Sequence, residues 1–194
     1  MTLGGGTAPS VVVSSTELGG LAYANFNGTT QYLTSASTFA ISQPFTVFAV
    51  AKYIESTNLN RFMFDGYTAT DQRAVLYRPG GGATANVGSN IGAGVNGTFS
   101  WASYSGFWRL WDIHFIGSTV SSVASNGSVL GTGDCGSGAG SGIRGFTFGC
   151  RCDGVPASYG WSGAIARIVI FTRDVNGTDL TNIRNYFRTR YAIY

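Results

Sequence analysis

The sequence predicts an all-β sandwich or barrel with one short helix at its C-terminal end. Three observations predict it. Short runs rich in aromatic and β-branched residues recur along the chain, each bounded by turn residues. Glycine makes up 29 of 194 residues, against a usual share of about 7%. Helical spacing is confined to the closing stretch "TDLTNIRNYFRTRYAIY" (178–194).

Taken in order, residues 1–20 carry Gly, Ser and Thr around a single "VVV" and read as an arm or an edge strand, with the folded domain at 21–194. "QPFTVFAVAKY" (43–53) alternates strongly, with Phe45, Val47, Ala49 and Ala51 on one face and Phe48 and Val50 on the other. Strand runs follow at 61–67, 73–79, 108–117, 118–127, 143–151 and 164–172. Asn-Gly recurs at Asn27, Asn96, Asn126 and Asn176; both residues tolerate positive φ, so each pair marks a turn. Gly-rich loops fill 80–98 and 131–142, and neither carries the Gly-Lys-Ser/Thr of a phosphate-binding loop. In the tail, Thr178 is placed to cap a helix whose Leu180, Ile183, Phe187 and Tyr191 share one face. Arg184 and Arg188 lie together on another face.

At 194 residues the chain is about one domain, large enough to bury a core without a metal or disulfide staple. Charged residues are 11%, against roughly 25% in an average domain, so the polar surface is expected to be built from Ser, Thr, Asn and Gly. The 12 basic residues are all arginine except Lys52 and are scattered apart from Arg184, Arg188 and Arg190, which argues against a nucleic-acid footprint. Arginine is also the basic residue enriched at protein interfaces. No run approaches 18 apolar residues, so no membrane span is expected. "MTLGGGTAPSVVVSST" lacks the basic and apolar regions of a secretory signal. Cys135, Cys150 and Cys152 are therefore expected as thiols, with Cys150 and Cys152 sharing one face of a strand. A bridge from Cys135 to either would need an oxidising setting.

The ordered pieces resemble the laminin-G-like, concanavalin-A-like lectin/glucanase superfamily. They are "FNGTTQYLT" (26–34), "FTVFAVAK" (45–52), "WRLWDIHFIGSTV" (108–120), Asn126-Gly127, "TFGCRCDG" (147–154), "WSGAIARIVIFTRDV" (161–175) and a closing helix ending in Tyr. The resemblance covers about residues 21–194. It implies a jelly roll of two packed antiparallel sheets, capped by the helix. One departure is Arg167, where the family often has an acid.

Retaining glycosidases on related folds need two carboxyl groups about 5–5.5 Å apart. This chain has two glutamates, Glu17 and Glu55, and no two acids at i, i+2. Polysaccharide lyases on similar sandwiches use His, Tyr, Arg and Gln on the concave sheet. Asp112 and His114 in "WDIHF" share a face that such a reading would use, opposite Trp111, Ile113 and Phe115, and the plainer expectation is a polar outer face with a surface histidine. The resemblance also brings calcium to mind as a cofactor; Asp65, Asp71, Asp134 and Asp153 offer oxygen ligands without a spacing that makes a cage.

Binding is the better prospect. "FSWASYSGFWRLW" (99–111) gathers Trp101, Tyr104, Phe107, Trp108 and Trp111, and the Ser/Gly setting of Trp101 and Tyr104 suits stacking on a sugar or a partner. Tyr77 joins them as a ligand-binding candidate together with Asp112 and His114, while Tyr159 and Trp161 are weaker ones. Arg184 and Arg188 are candidates for contact with a partner protein. Two classes follow. One is a non-enzymatic structural module resembling bacteriophage virion components, such as capsid decoration or fibre proteins, acting at a virion or extracellular surface. The other is a carbohydrate-binding lectin module that recognises surface glycans.

Overall fold

Two seven-stranded antiparallel sheets face each other, and a C-terminal helix covers the back of one of them. The structure is a computed structural model describing residues 2–3, 7–35, 40–54, 61–66, 74–78, 84–89, 99–100, 105–117, 121–133, 143–151 and 156–194. The first sheet runs β1 (Thr2–Leu3), β4 (Leu33–Thr34), β15 (Phe146–Phe148), β7 (Arg61–Gly66), β8 (Ala74–Arg78), β9 (Thr84–Ser89) and β10 (Phe99–Ser100). The second runs β13 (Ser128–Gly133), β12 (Ser121–Ser125), β11 (Trp108–Phe115), β6 (Phe45–Tyr53), β16 (Ser162–Phe171), β3 (Leu21–Asn27) and β2 (Ser10–Ser15). A separate pair joins β5 (Ala40–Ile41) to β14 (Ile143–Arg144). Helix α1 is one turn, Pro156–Tyr159, and α2 spans Gly177–Tyr191. This is a two-sheet jelly-roll sandwich, the fold class expected from the sequence.

Strand β6 shows why three layers are needed. Phe45, Val47, Ala49, Ala51 and Tyr53 join Trp111, Ile113 and Phe115 of β11 between the sheets, against Met63, Phe64, Phe146 and Phe148 of the first sheet. Phe45 lies opposite Phe115, and their rings stack at 4.6 Å. The alternate residues Phe48 and Val50 face away from the sandwich and would be wet without a cover. Leu18, Phe187, Tyr191 and Ile193 supply it, with Phe187 stacked on Phe48 at 5.9 Å. Each of these side chains contributes about 1.5–3 kcal/mol when fully buried.

The register of strand β16 slips midway, which exchanges the alternate residues that face each core. Ile165 lies opposite Ala51 but Arg167 lies opposite Val50, so Ala166 is an extra residue, a bulge. Beyond it, Ile168 and Ile170 turn inward while Val169 and Phe171 face the helix. Arg167 stays exposed at the bulge.

The turn chemistry follows the Asn-Gly pairs in part. Asn126 and Gly127, with φ of 50° and 82°, close the β12–β13 hairpin. The Asn27 carboxamide oxygen accepts from the backbone N–H groups of Thr29 and Thr30, both at 3.0 Å. Asn176, not Thr178, is the N-cap of α2, and Thr178 falls inside the first turn. Asn96 lies outside the described residues. The N-terminal residues are built into the domain: Ser10–Ser15 pair with β3, and Leu18 is fully buried. Strand β15 ends at Phe148, so Cys150 lies beyond the strand expected to carry it. Cys150 sits buried in the bend that follows, and Cys135 and Cys152 lie outside the described residues.

Gly149 is required by both space and dihedral. It has φ of +80°, and a Cβ there would lie 2.4 Å from the Phe26 ring. Gly149→Ala is therefore expected to cost roughly 3 kcal/mol from overpacking and backbone strain together. Gly106, at φ +83° with open space around it, should lose only about 1–2 kcal/mol on the same change. Urea unfolding of both variants checks the difference. Burial also raises the Tyr32 and Tyr191 hydroxyls above their ordinary value of 10.0. The native state thus holds these protons more tightly than the unfolded chain. That stability is complete below about pH 10 and is lost as pH rises through the raised values. Tyr191→Phe should flatten the alkaline fall of the melting temperature.

Candidate functional site

The polar residues of β11 face α2. Asp112 is fully buried, and Arg184 donates to it from Nε to Oδ2 at 2.5 Å and from NH2 to Oδ1 at 3.0 Å. Hydrogen bonding to Asp112 raises the Arg184 pKa further above its already high value, so the guanidinium stays charged. His114 is 6% exposed, which corrects the expected surface histidine. Its Nδ1 lies 2.8 Å from Asp174 Oδ1; an ionised carboxylate only accepts, so Nδ1 carries the proton. Directly opposite His114 on β6, the buried Thr46 hydroxyl donates to the Arg173 carbonyl at 3.1 Å and accepts from the Val175 N–H at 3.0 Å. These groups fasten α2 and the segment leading into it to the sheet. At the other end of this face, Glu17 Oε2 accepts from Trp108 Nε1 at 2.8 Å and from Lys52 Nζ at 2.9 Å. The Lys52 and Trp108 hydrogen bonds lower the Glu17 pKa. The face that a lyase-type reading would use is closed by a helix.

Arg188, the other residue expected to meet a partner, is exposed, with its guanidinium 5.8 Å from the Tyr194 ring centroid.

A different region stays open: the end of the sandwich where β6 stops. Tyr53 and the fully buried Trp161 pack at 5.1 Å. Gly163 lets this pillar meet β6 closely, since a Cβ there would fall 2.2 Å from the Lys52 carbonyl oxygen. Arg61, only 2% exposed, donates from NH1 to the carbonyls of Gly28 at 2.7 Å and Gly160 at 3.0 Å, tying two loops together. Gly106 donates its N–H to the Tyr53 carbonyl at 2.7 Å and turns the chain into β11.

On this rigid base sit exposed apolar groups. Phe107 is 63% exposed and Ile54 52%. The Arg151 guanidinium lies 3.4 Å from the Tyr159 ring centroid, and Tyr159 meets Phe62 edge-on at 5.8 Å. Position 77 in β8 lies directly opposite Phe62. Trp101 and Tyr104 lie outside the described residues, immediately before the point where the chain rejoins this rim at Ser105, opposite Tyr53. Of the expected ligand-binding residues, Asp112 and His114 lie under α2, position 77 lies opposite Phe62 in register, and Trp101 and Tyr104 lie outside the described residues. Phe107, Ile54 and Arg151 were not singled out as site residues. For Phe107 the signal was present, since a residue just after a turn glycine sits at the strand's outer end.

Among the described residues, no group of three or more His, Cys, Asp and Glu side chains sits together. Asp65 is fully buried with its carboxylate on the Gly66 N–H at 2.8 Å; Asp71, Asp134 and Asp153 lie outside the described residues. No described helix is long and apolar enough to cross a membrane.

No protein-family model matches the chain, and no curated protein sequence matches it. Solved structures do. Domain 4 of AbnA, a GH43 extracellular arabinanase from Geobacillus stearothermophilus, in complex with arabinotriose, is similar at 14% identity with a TM-score of 0.63, over 92% of this chain and 82% of that one. The native heptameric SAP-like pentraxin of Limulus polyphemus is similar at 19% identity with a TM-score of 0.58, over 78% and 76%. Trypanosoma rangeli sialidase in complex with sialic acid is similar at 13% identity with a TM-score of 0.55, over 85% of this chain but only 29% of the sialidase. At these identities the likeness defines the fold alone, a two-sheet jelly-roll sandwich.

Asp112 depends on Arg184 for its charge balance. Arg184→Met is expected to destabilise the protein by about 3 kcal/mol, because it strands a buried carboxylate. Adding Asp112→Leu to that variant should restore most of the loss, which denaturant unfolding of the single and double variants measures.

Proposed function

We propose that this protein is a carbohydrate-binding module that holds a glycan on the aromatic rim without breaking bonds in it. The carrying observation is Phe107, an aromatic ring 63% exposed at the mouth of β11, adjoining the segment that bears Trp101 and Tyr104. Sugar rings present apolar C–H faces that stack on such groups, and Arg151 over Tyr159 adds a charged donor at the same end. The rim is preorganised by the Tyr53–Trp161 pair and the Arg61 bridge, which limits the ordering cost of binding. The fold likeness to a domain solved with arabinotriose is in keeping with this reading.

Binding without catalysis is supported by the state of the described carboxylates. Glu17, Asp112, Asp174 and Asp179 are each engaged by a neighbouring side chain, and Asp65 by the backbone N–H of Gly66, the next residue of β7. A virion-surface role rests on composition alone and draws no support from the structural likenesses.

A glycan array with purified protein, with and without a calcium chelator, tests the proposal. Specific binding is expected, and Phe107→Ala and Trp101→Ala should each weaken it about tenfold, equivalent to about 1.4 kcal/mol. Phe107→Ala should leave the melting temperature unchanged. Silence across the array, or wild-type affinity in both variants, would overturn the proposal. Loss of binding on chelation would put a cation in the site.

A further inference from the structure

The second sheet ends at β2, and no described strand pairs with its outer side. An edge like this offers a row of unpaired backbone N–H and C=O groups, and proteins normally blunt it with charge, proline or a covering segment. Strand β2, "SVVVSS", holds no charged residue and no proline, and Val11 and Val13 are 67% and 81% exposed. Two valines side by side on an uncharged edge are costly to leave in water.

We propose that two copies of this chain associate through β2, antiparallel and edge to edge, about a two-fold axis passing through Val12. The occupant is named by the strand itself. Ser10-Val11-Val12-Val13-Ser14 reads the same in both directions. Antiparallel pairing centred on Val12 therefore sets Val11 opposite Val13 of the second copy and Ser10 opposite Ser14. Every cross-strand pair is then apolar with apolar or hydroxyl with hydroxyl, with no like charges to repel. A two-fold axis demands this self-complementarity.

The slip of register against β3 falls between Val12 and Ser15. In the proposed pairing the irregular half of each strand lies opposite the regular half of the other, so two irregular halves never have to match. The opposite edge of the sheet, β13, also exposes a valine, Val129, but its sequence "SVLGTG" is interrupted by Gly131 and Gly133 and has no such symmetry. Pairing through β2 would join two seven-stranded sheets into one continuous sheet. It would also present two rims in one particle, raising avidity for a repeating polymer.

Sedimentation velocity of the full chain over a wide concentration range tests this directly. The wild type should reach a dimer and stop there, whereas Val11→Lys/Val13→Lys should remain monomeric with an unchanged far-ultraviolet spectrum. A wild type that is monomeric throughout, a double-lysine variant that still dimerises, or growth beyond the dimer through β2–β13 contacts would each overturn the proposal. Should the double-lysine variant fail to fold, Val12→Cys decides. Val12 faces its own copy across the axis, so mild oxidation should cross-link that variant into dimers well above the background of the parent chain with its 3 native cysteines. No excess cross-linking would end the proposal.

Discussion

Burying both faces of Phe45–Tyr53 sets a requirement that the rest of the chain has to meet. A two-layer sandwich covers one face of a central strand; here Phe48 and Val50 point the other way and are as dry as Val47 and Ala49. Something must return to cover them, and α2 does so with Phe187 and Tyr191. The cover brings its own constraint. Strands next to β6 carry polar side chains on that same face, and once the helix closes over them each needs a partner. Asp112 takes Arg184, His114 takes Asp174, and Thr46 takes both a carbonyl and an N–H from the segment before the helix. The polar row thus fixes where the helix sits, while the apolar contacts supply the attraction that keeps it there. A buried ion pair contributes less through its own net energy than through the penalty for mismatching it.

This arrangement decides where recognition is able to occur. On the helix-covered face the described polar side chains Asp112, His114 and Thr46 are engaged by α2 and the segment before it, and the interior between the sheets is filled with aromatic rings. The ends of the sandwich remain, and the end at Tyr53 is stiffened in a way that ordinary loop structure is not. Arg61 is a long cation with only 2% of its surface exposed, and two of its bonds go to the carbonyls of separate loops. Gly149 and Gly163 allow close approaches that a Cβ would prevent. Rigid support beneath exposed rings is what a binding site needs, because ordering a loose loop on binding consumes part of the interaction energy.

Much of the fold was legible in the sequence because its signals are local. The alternation of 43–53 placed Phe45, Val47, Ala49 and Ala51 on one face and Phe48 and Val50 on the other, and the helical spacing of Leu180, Ile183, Phe187 and Tyr191 identified the packing face of the helix. What escaped was non-local. Asp112 and His114 at alternate positions look like a solvated face until a helix some 70 residues later returns to cover them, at Arg184. The bulge at Ala166 leaves no local mark, since "AIARIVIF" alternates well enough without it. The cysteines near 150 followed a strand run that stops short, at Phe148, where Gly149 bends the chain against Phe26. For the rim, composition pointed to the stretch 99–111, and within its described part Phe107 is exposed while the next residue, Trp108, is buried, a difference that composition does not mark.

The low charge content takes on a physical meaning once the partners are known. With charged residues at only 11%, those on α2 and the strands beneath it are largely committed to one another: Lys52 with Glu17, Arg184 with Asp112, Arg173 with Asp179. The chain as a whole carries few charges, and Ser, Thr, Asn and Gly are frequent among its other residues. Such residues hydrogen-bond readily to hydroxyl-rich ligands and to other backbones alike, since neither contact requires desolvating an ion. The same scarcity of charge that suits a rim to sugar leaves the edge at Val11 and Val13 without the lysine that usually keeps a strand apart from its copies. The proposed ligand recognition at one end and the proposed self-association at one edge would therefore share an origin in the low charge of this chain.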